Sequence, residues 1–360
     1  MPIMLLTIPS RVAGRSRTGK AERASVSATA YDSRGLTASQ RDFFFREGYL
    51  VLDRLFSDDD LQPAIDDINR AVDEKVAELV QSGDLSRSYA EYDFEHRLAE
   101  ISRETDRVAL SLWNGVLHGP GFFRLITNPK LLDVAESLCG EELIASSVYR
   151  LRPKIPHYDY GGVPWHQDSA CFEPCCDHSL VLTVWIPLVD TNQENGCLWV
   201  IPRVHTAAVL PHRPAEGKAY LEIVAASLPE GPHGCCPVAK GGALLLTNRT
   251  PHGSFENRTE LVRWSMDLRY QSAGLPTNAR ITRLPGELTS RGKTIDDPDF
   301  VPVACHPPEA DFLVRSKARP GEVLCTAEQF AALRAGHVPS PVTDRWGKWW
   351  AREANNPGRE

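Results

Sequence analysis

The sequence predicts a mainly β protein with flanking helices, of the sandwich or jelly-roll kind. Between Leu143 and Tyr270 the chain falls into short runs rich in Val, Ile, Leu, Thr and Trp, separated by Gly, Pro, Asn and Asp, which is the pattern of strands joined by turns. Almost no helical periodicity lies between those runs, so alternating strand–helix units are excluded. Helical patterning is concentrated upstream, before residue 143. The 360 residues are 42% hydrophobic and 24% charged, an ordinary globular composition.

The first 35 residues carry Arg11, Arg15, Arg17, Lys20, Arg23 and Arg34 against Glu22 and Asp32. They read as a flexible basic tail, and the same composition is that of an organelle transit peptide. Within the tail, Gly14 to Ala21 approaches a P-loop but has Ala21 where a hydroxyl should bind magnesium, so it is rejected. Order is expected from residue 36 to the end as one domain: a helical N-terminal support over 36–142, a core over 143–272 and a C-terminal extension over 273–360.

In the support, Thr37 and Gln40 form a capping box and Gly48 ends a short helix containing Phe43, Phe44 and Phe45. Gly48 to Asp53 reads as a strand. Ser57 and the three aspartates after it cap a longer helix whose Leu61, Ile65, Ile68, Val72, Val76 and Leu79 recur at spacings of three and four. Asn128, Pro129 and Gly140 bracket another helix. In the core, Leu143–Leu151, Leu180–Pro187, Cys197–Ile201, Ala243–Thr247 and Leu261–Tyr270 are five strand candidates. Thr326 and Gln329 cap a last helix ending at Gly336, before Trp346, Trp349 and Trp350.

Charge and cysteine usage narrow the function classes. A net charge of -7 offers no general attraction to nucleic acid or anionic lipid, and the early apolar run Ile3–Ile8 is too short for a membrane span. The nine cysteines include two adjacent pairs and no C-x-x-C, which suggests neither a disulfide framework nor a zinc ribbon. Reduced thiols and a cytoplasmic location are expected, so the glycosylation patterns at Asn248 and Asn257 are set aside. The partner expected is a small-molecule substrate; oligomeric state is not legible.

The chemistry concentrates in Val163–Asp168. In an extended chain residues i and i+2 share a face, so His166 and Asp168 can reach one metal. His252, after a strand candidate, can add the third donor of a 2-His-1-carboxylate triad that leaves positions open on Fe(II). With 11 histidines, composition alone supplies about 0.7 copies of H-x-D, and His157-Tyr158-Asp159 has the same form, so spacing does not choose between the two. Arg263 lies eleven residues beyond His252 in an alternating run that also contains Arg269 on the same face. A guanidinium pointing into a barrel needs a counter-anion, which a dicarboxylate provides; the plain alternative is that both arginines face solvent.

Taken in order, His166-Gln167-Asp168, Trp185 in Leu180–Leu188, Asn195 to Pro202, Gly241 to Leu246, His252-Gly253-Ser254, Asn257 and Arg263 resemble the phytanoyl-CoA dioxygenase family of Fe(II)/2-oxoglutarate oxygenases. The resemblance covers about Val148 to Gln271. It implies a double-stranded β-helix, a jelly-roll or cupin-like barrel, with Fe(II), 2-oxoglutarate and O2 as cofactor and cosubstrates. It implies His166, Asp168 and His252 as iron ligands rather than His157 and Asp159. Arg263 would hold the distal carboxylate of 2-oxoglutarate, helped by Ser254 and Trp185, with Thr183 added because it shares a strand face with Trp185. The implied activity is hydroxylation of a C–H bond of a small organic molecule with release of succinate and CO2.

The chain departs from the family at Pro202-Arg203-Val204-His205, where Pro-Gly-Ser-His is usual, and at Gly241-Gly242, where Gly-Asp is usual. Asp168 argues against the halogenating branch, which lacks that carboxylate. Lys154, His157 and Asp159 precede the metal motif and are the candidates for substrate contact, while Tyr89, Tyr92, Phe94 and Trp113 read as core or lid packing. No basic cluster adjoins the motif, so a CoA thioester is not carried over as substrate. Two rival readings are a metal-dependent cupin-like hydrolase, which would not need Arg263, and a non-catalytic jelly-roll binding protein.

Overall fold

The computed structural model describes residues 35–114, 119–158, 162–172, 176–215, 220–275, 288–290, 293–294 and 312–335. The basic tail over 1–34, Asp159, most of 273–305, Gly336 and the three C-terminal tryptophans lie outside the described residues.

Helix α1 (Ala38–Glu47) begins and ends at the expected signals. Thr37 Oγ1 accepts from the Gln40 amide, the Gln40 side chain accepts from the Thr37 amide, and Gly48 turns left-handed at φ 84°. Gly48 is required twice over, because a Cβ there would lie 2.5 Å from His205 Nδ1. Strand β1 (Tyr49–Leu52) follows, then α2 (Asp58–Ser82), with a Ser57–Asp60 capping box, three aspartates at its positive end and all six stripe residues buried.

Three helices were not expected: α3 (Arg97–Ser102), α4 (Arg107–Asn114) and α5 (Pro120–Ile126). Helix α5 shows why, since its own N-cap, Gly119, has no side chain to offer. The cap comes from α2, where Asp67 Oδ2 accepts from the Phe122 amide at 3.0 Å. The two helices touch so closely that a Cβ on Gly121 would sit 1.9 Å from the Pro63 carbonyl oxygen. Helix α6 (Pro129–Cys139) is capped by Asn128 as its sequence indicated.

The remaining strands are β2 (Leu143–Lys154), β3 (Val163–His166), β4 (Val181–Pro187), β5 (Leu198–Val200), β6 (His212–Pro214), β7 (Leu221–Ile223), β8 (Gly234–Cys236), β9 (Ala243–Thr247), β10 (His252–Ser254), β11 (Arg263–Ser272), β12 (Leu288–Ser290), β13 (Lys293–Thr294) and β14 (Phe312–Arg315). Helix α7 (Ala327–Ala335) closes the described chain, with Thr326 Oγ1 accepting from the Gln329 amide at its start. A six-stranded antiparallel sheet has the order β1-β9-β4-β11-β2-β14, and a four-stranded antiparallel sheet has the order β3-β10-β5-β8. Among the described residues no strand pairing joins the two into a closed barrel, so the observed architecture is two antiparallel sheets with helices. The expected C-terminal extension is in part a sheet edge, because β14 pairs with β2.

The larger sheet is covered on both faces, and strand alternation assigns the residues. Leu182, Val184 and Ile186 of β4, with Trp264, Met266, Leu268 and Tyr270 of β11, belong to the main core with the helices. Trp185, Leu244 and Leu246 form a smaller core with Leu198, Val200, Cys236 and Val238 of the second sheet region. Gly242 sits where a Cβ would meet the Leu52 carbonyl oxygen at 2.6 Å, and the Gly241 oxygen accepts from both Leu55 and Phe56 amides. That close approach leaves no room for the aspartate usual there. Arg203, the other departure, turns left-handed at φ 68° and its guanidinium forks onto buried Glu47 at 2.8 and 3.0 Å. Among the described residues no helix is long and apolar enough to cross a membrane, and all seven described cysteines are free thiols.

Candidate active site

The second sheet builds a candidate metal site by register. Strands β10 and β3 run antiparallel with His252 directly opposite His166, which brings the imidazole centroids to 4.2 Å. Each ring spends Nδ1 on a main-chain carbonyl, His166 on Pro164 at 2.8 Å and His252 on Thr250 at 2.9 Å. A carbonyl can only accept, so Nδ1 carries the hydrogen and Nε2 is left as a metal donor.

Asp168 arrives by a different local structure from the one the spacing suggested. Strand β3 ends at His166, Gln167 is still extended, and Asp168 opens a 3-10 turn running to Cys171. Gln167, fully buried, holds the bend: its amide donates to His212 Nε2, its side-chain nitrogen to the Arg249 carbonyl, and its side-chain oxygen accepts from Leu210 N. His166, Asp168 and His252 offer donor atoms within 4.8 Å of one another, so one ion can reach all three. Among the described residues no other such group of histidine, cysteine or carboxylate ligands occurs.

The carboxylate is clamped from the larger sheet. Thr183 Oγ1 donates to Asp168 Oδ2 at 2.6 Å, and Arg269 reaches Oδ2 through Nε at 3.3 Å and Oδ1 through Nη2 at 3.0 Å. Burial alone would raise the Asp168 pKa, but Arg269 and the two histidines hold it below the usual carboxylate range. Burial, reinforced by the neighbouring His252, pushes His166 down to about 3. At neutral pH the site therefore presents an ionised carboxylate beside a neutral imidazole, the protonation states that metal ligands require.

Strand β11 turns Arg263, Ser265, Asp267 and Arg269 toward the second sheet, and both arginines are buried. The solvent-facing alternative is thereby excluded. Arg263 stacks on Trp185 with 5.5 Å from guanidinium carbon to ring centroid, donates to Ser265 Oγ, and leaves Nε buried without a hydrogen-bond partner. Desolvation lowers its pKa to about 10, still a full cation at neutral pH. Trp185 is fixed by its own Nε1 bond to Ser265 Oγ at 3.0 Å. Such a guanidinium is built for an anion that carries acceptors of its own.

Ser254 lies on β10 two residues from His252, and its hydroxyl accepts from Lys154 Nζ at 2.7 Å. Lys154, expected near the substrate, is 1% exposed; it faces Arg263 across the β2–β11 ladder and also donates to the Phe255 carbonyl. His157 is exposed, has a left-handed backbone, and pairs with Glu260; Asp159 lies outside the described residues. Asn248 and Asn257 are buried internal braces, to Ser169 Oγ and to the Lys154 and Leu261 carbonyls.

His166, Asp168, His252, Thr183, Trp185, Ser254 and Arg263 line one cleft. Sequence reasoning missed the functional placement of Arg269, Arg152, Asp267 and Trp113, all of which line it. The available signal was the polar half of the alternation in β11, which reads equally well as a wet face.

Residues 44–265 match the family described as Phytanoyl-CoA dioxygenase (PhyH). The mouse peroxisomal phytanoyl-CoA dioxygenase is 24% identical over 249 residues, covering 67% of this chain and 70% of that protein. A probable alpha-ketoglutarate-dependent hypophosphite dioxygenase of Stutzerimonas stutzeri is 25% identical over 246 residues, covering 66% and 79%. Among solved structures, the apo form of the non-heme monooxygenase ThoJ superposes with a TM-score of 0.48 at 18% identity, covering 88% of this chain and 99% of that one. The family match takes in His166, Asp168 and His252 and the strands from β1 to β10, and the chain belongs to the phytanoyl-CoA dioxygenase family, a family of Fe(II)- and 2-oxoglutarate-dependent dioxygenases.

Proposed function

We propose that this dioxygenase hydroxylates a C–H bond of a small organic molecule held in the cleft, with His166, Asp168 and His252 as the iron ligands. The observation that carries the reading is the buried, incompletely paired Arg263 guanidinium in the same cleft as the triad. It supplies the counter-charge for a dicarboxylate cosubstrate, which a hydrolase on the same fold would not need. In this reading Arg263 binds the distal carboxylate of 2-oxoglutarate, Trp185 walls its site, and Ser254, oriented by Lys154, adds a hydroxyl. Thr183 serves the cosubstrate end indirectly, by fixing Asp168.

Fe(II), when bound, couples oxidative decarboxylation of 2-oxoglutarate to substrate oxidation, so that substrate, 2-oxoglutarate and O2 become hydroxylated product, succinate and CO2. The protein's own tasks are orientation and exclusion of water. The two sheets are the walls expected of a double-stranded β-helix, and we take residues 36–360 as a single oxygenase domain. Anaerobic titration with Fe(II) and then 2-oxoglutarate tests the reading through the visible metal-to-ligand charge-transfer band. The band is expected in the wild type, absent in His166→Ala, and shifted to much higher 2-oxoglutarate in Arg263→Gln. A band with unchanged cosubstrate dependence in Arg263→Gln would remove that role.

A further inference from the structure

Three guanidinium groups line the cleft, and they differ in what they do. Arg269 is committed to Asp168, and Arg263 is buried at 3% exposure against Trp185. Arg152 alone keeps a quarter of its side chain accessible. Its Nε donates to Asp267 Oδ2 at 3.3 Å, and its guanidinium carbon lies 5.1 Å from the centroid of the Trp113 ring. Trp113 is itself pinned, with Nε1 donating to the Pro153 carbonyl at 2.9 Å. No described protein group bonds to Nη1 or Nη2 of Arg152. The plane of the fork is thus set by an aromatic face and an edge carboxylate, while its two terminal amino groups remain open to a ligand.

The charge balance of the cleft points the same way. Its lining holds three guanidinium groups against two carboxylates, Asp168 and Asp267. Fe(II) and the 2-oxoglutarate dianion would cancel each other, and the buried Lys154 ammonium on Ser254 adds a further cation, so the loaded cleft keeps an excess of positive charge. Burying that charge against a neutral substrate would leave it uncompensated. Asp267 and Arg269 are also two residues apart on one strand face, about 7 Å, so Arg152 on Asp267 and Asp168 on Arg269 line neighbouring parts of the cleft.

We propose that Arg152 is the substrate anchor, and that the substrate carries one acidic group, a carboxylate or a phosphoryl, received by its two open amino groups with Trp113 packed beside it. The inference rests on the oxygenase reading for the word substrate, but the anion site stands on the geometry of Arg152 itself.

The test is equilibrium binding by calorimetry to wild type, Arg152→Gln and Arg152→Lys, each with and without Fe(II) and 2-oxoglutarate under anaerobic conditions. The probes are straight-chain carboxylates and straight-chain alkylphosphonates of matched lengths, with the corresponding primary amides as neutral controls. The wild type is expected to prefer one acid series over the amides by about tenfold or more, and the series that wins identifies the source of the anion. Arg152→Gln should lose that preference while keeping the 2-oxoglutarate affinity and the charge-transfer band, and Arg152→Lys should regain part of it. The proposal is overturned if acids and amides bind the wild type alike, if Arg152→Gln keeps the preference, or if that variant loses 2-oxoglutarate instead. Absence of any 2-oxoglutarate response in the wild type would count against the oxygenase reading, while the acid-against-amide comparison without cosubstrate still decides the role of Arg152.

Discussion

At the scale of single residues, the site depends on side chains whose protonation and direction are set by a second ring of partners. In the proposed site His166 and His252 would offer Nε2 to the metal because Pro164 and Thr250 hold their Nδ1 hydrogens, and Asp168 would offer its carboxylate, held in place by Arg269 and Thr183. His252→Ala should abolish Fe(II) binding, read by the loss of the charge-transfer band and of metal-dependent succinate release. Arg269→Leu should be costlier to the fold than a ligand change, because it leaves a buried carboxylate uncompensated, at about 3–5 kcal/mol in urea denaturation of the metal-free protein. Arg269→Lys should keep the fold and weaken Fe(II) affinity by about 10–100-fold. The triad was legible as three residue types at suggestive spacings, yet the decoy His157-Tyr158-Asp159 had the same form. What separates them physically is placement: His157 is exposed against Glu260, whereas His166 is paired with His252 across a ladder.

At the scale of elements, local signals worked where the chain caps itself and failed where a neighbour does the capping. Helix α2 announces itself through Ser57, Asp60 and its apolar stripe, but α5 is capped by Asp67 of α2, which no local window contains. Asp60 also receives Lys130 Nζ at 2.5 Å and Asn128 Nδ2 at 2.9 Å, tying the start of α2 to α6. Burial opposes its ionisation, but these partners and the Ser57 bonds lower its pKa to about 2. Because the folded value is depressed, the stabilisation is present above the unfolded value near 4 and is lost as pH falls from about 4 toward 2. Asp60→Asn should therefore lower stability by about 2 kcal/mol at neutral pH, with the gap from wild type closing in that acid window when urea midpoints are compared. Strand β11 taught the opposite lesson: its alternation was correctly read as a strand, but alternation does not say what covers the polar face.

At the scale of the whole molecule, one continuous core joins the helices to the larger sheet, and the chain's far end closes it. Strand β14 pairs with the edge of β2, and Phe330 of α7, fully buried, packs on Phe123, Tyr149 and Phe312. The segment 312–335 is thus part of the fold rather than an appendage. Phe330→Ala should cost about 3–5 kcal/mol, and it should do so within a single cooperative unfolding transition seen by both circular dichroism and tryptophan fluorescence. Two separate transitions would instead divide the core that the contacts make continuous.

By itself the sequence determined the mainly β class of fold, the self-capped helices, the main strands and, through motif order, the family, and it is the source of the proposal that His166, Asp168 and His252 are the metal donors. These are decided by interactions within a few residues, or by residue types that metal chemistry restricts to very few choices. Only the tertiary structure decided that both arginines of β11 face inward, that Arg269 belongs to Asp168 and Arg263 does not, that Lys154 is buried beside Ser254, and that Arg152 opens its fork into the cleft. Each of those follows from which sheet lies opposite a given strand face, a relation between segments 100 or more residues apart, and periodicity along one strand carries no record of its neighbour across the cleft.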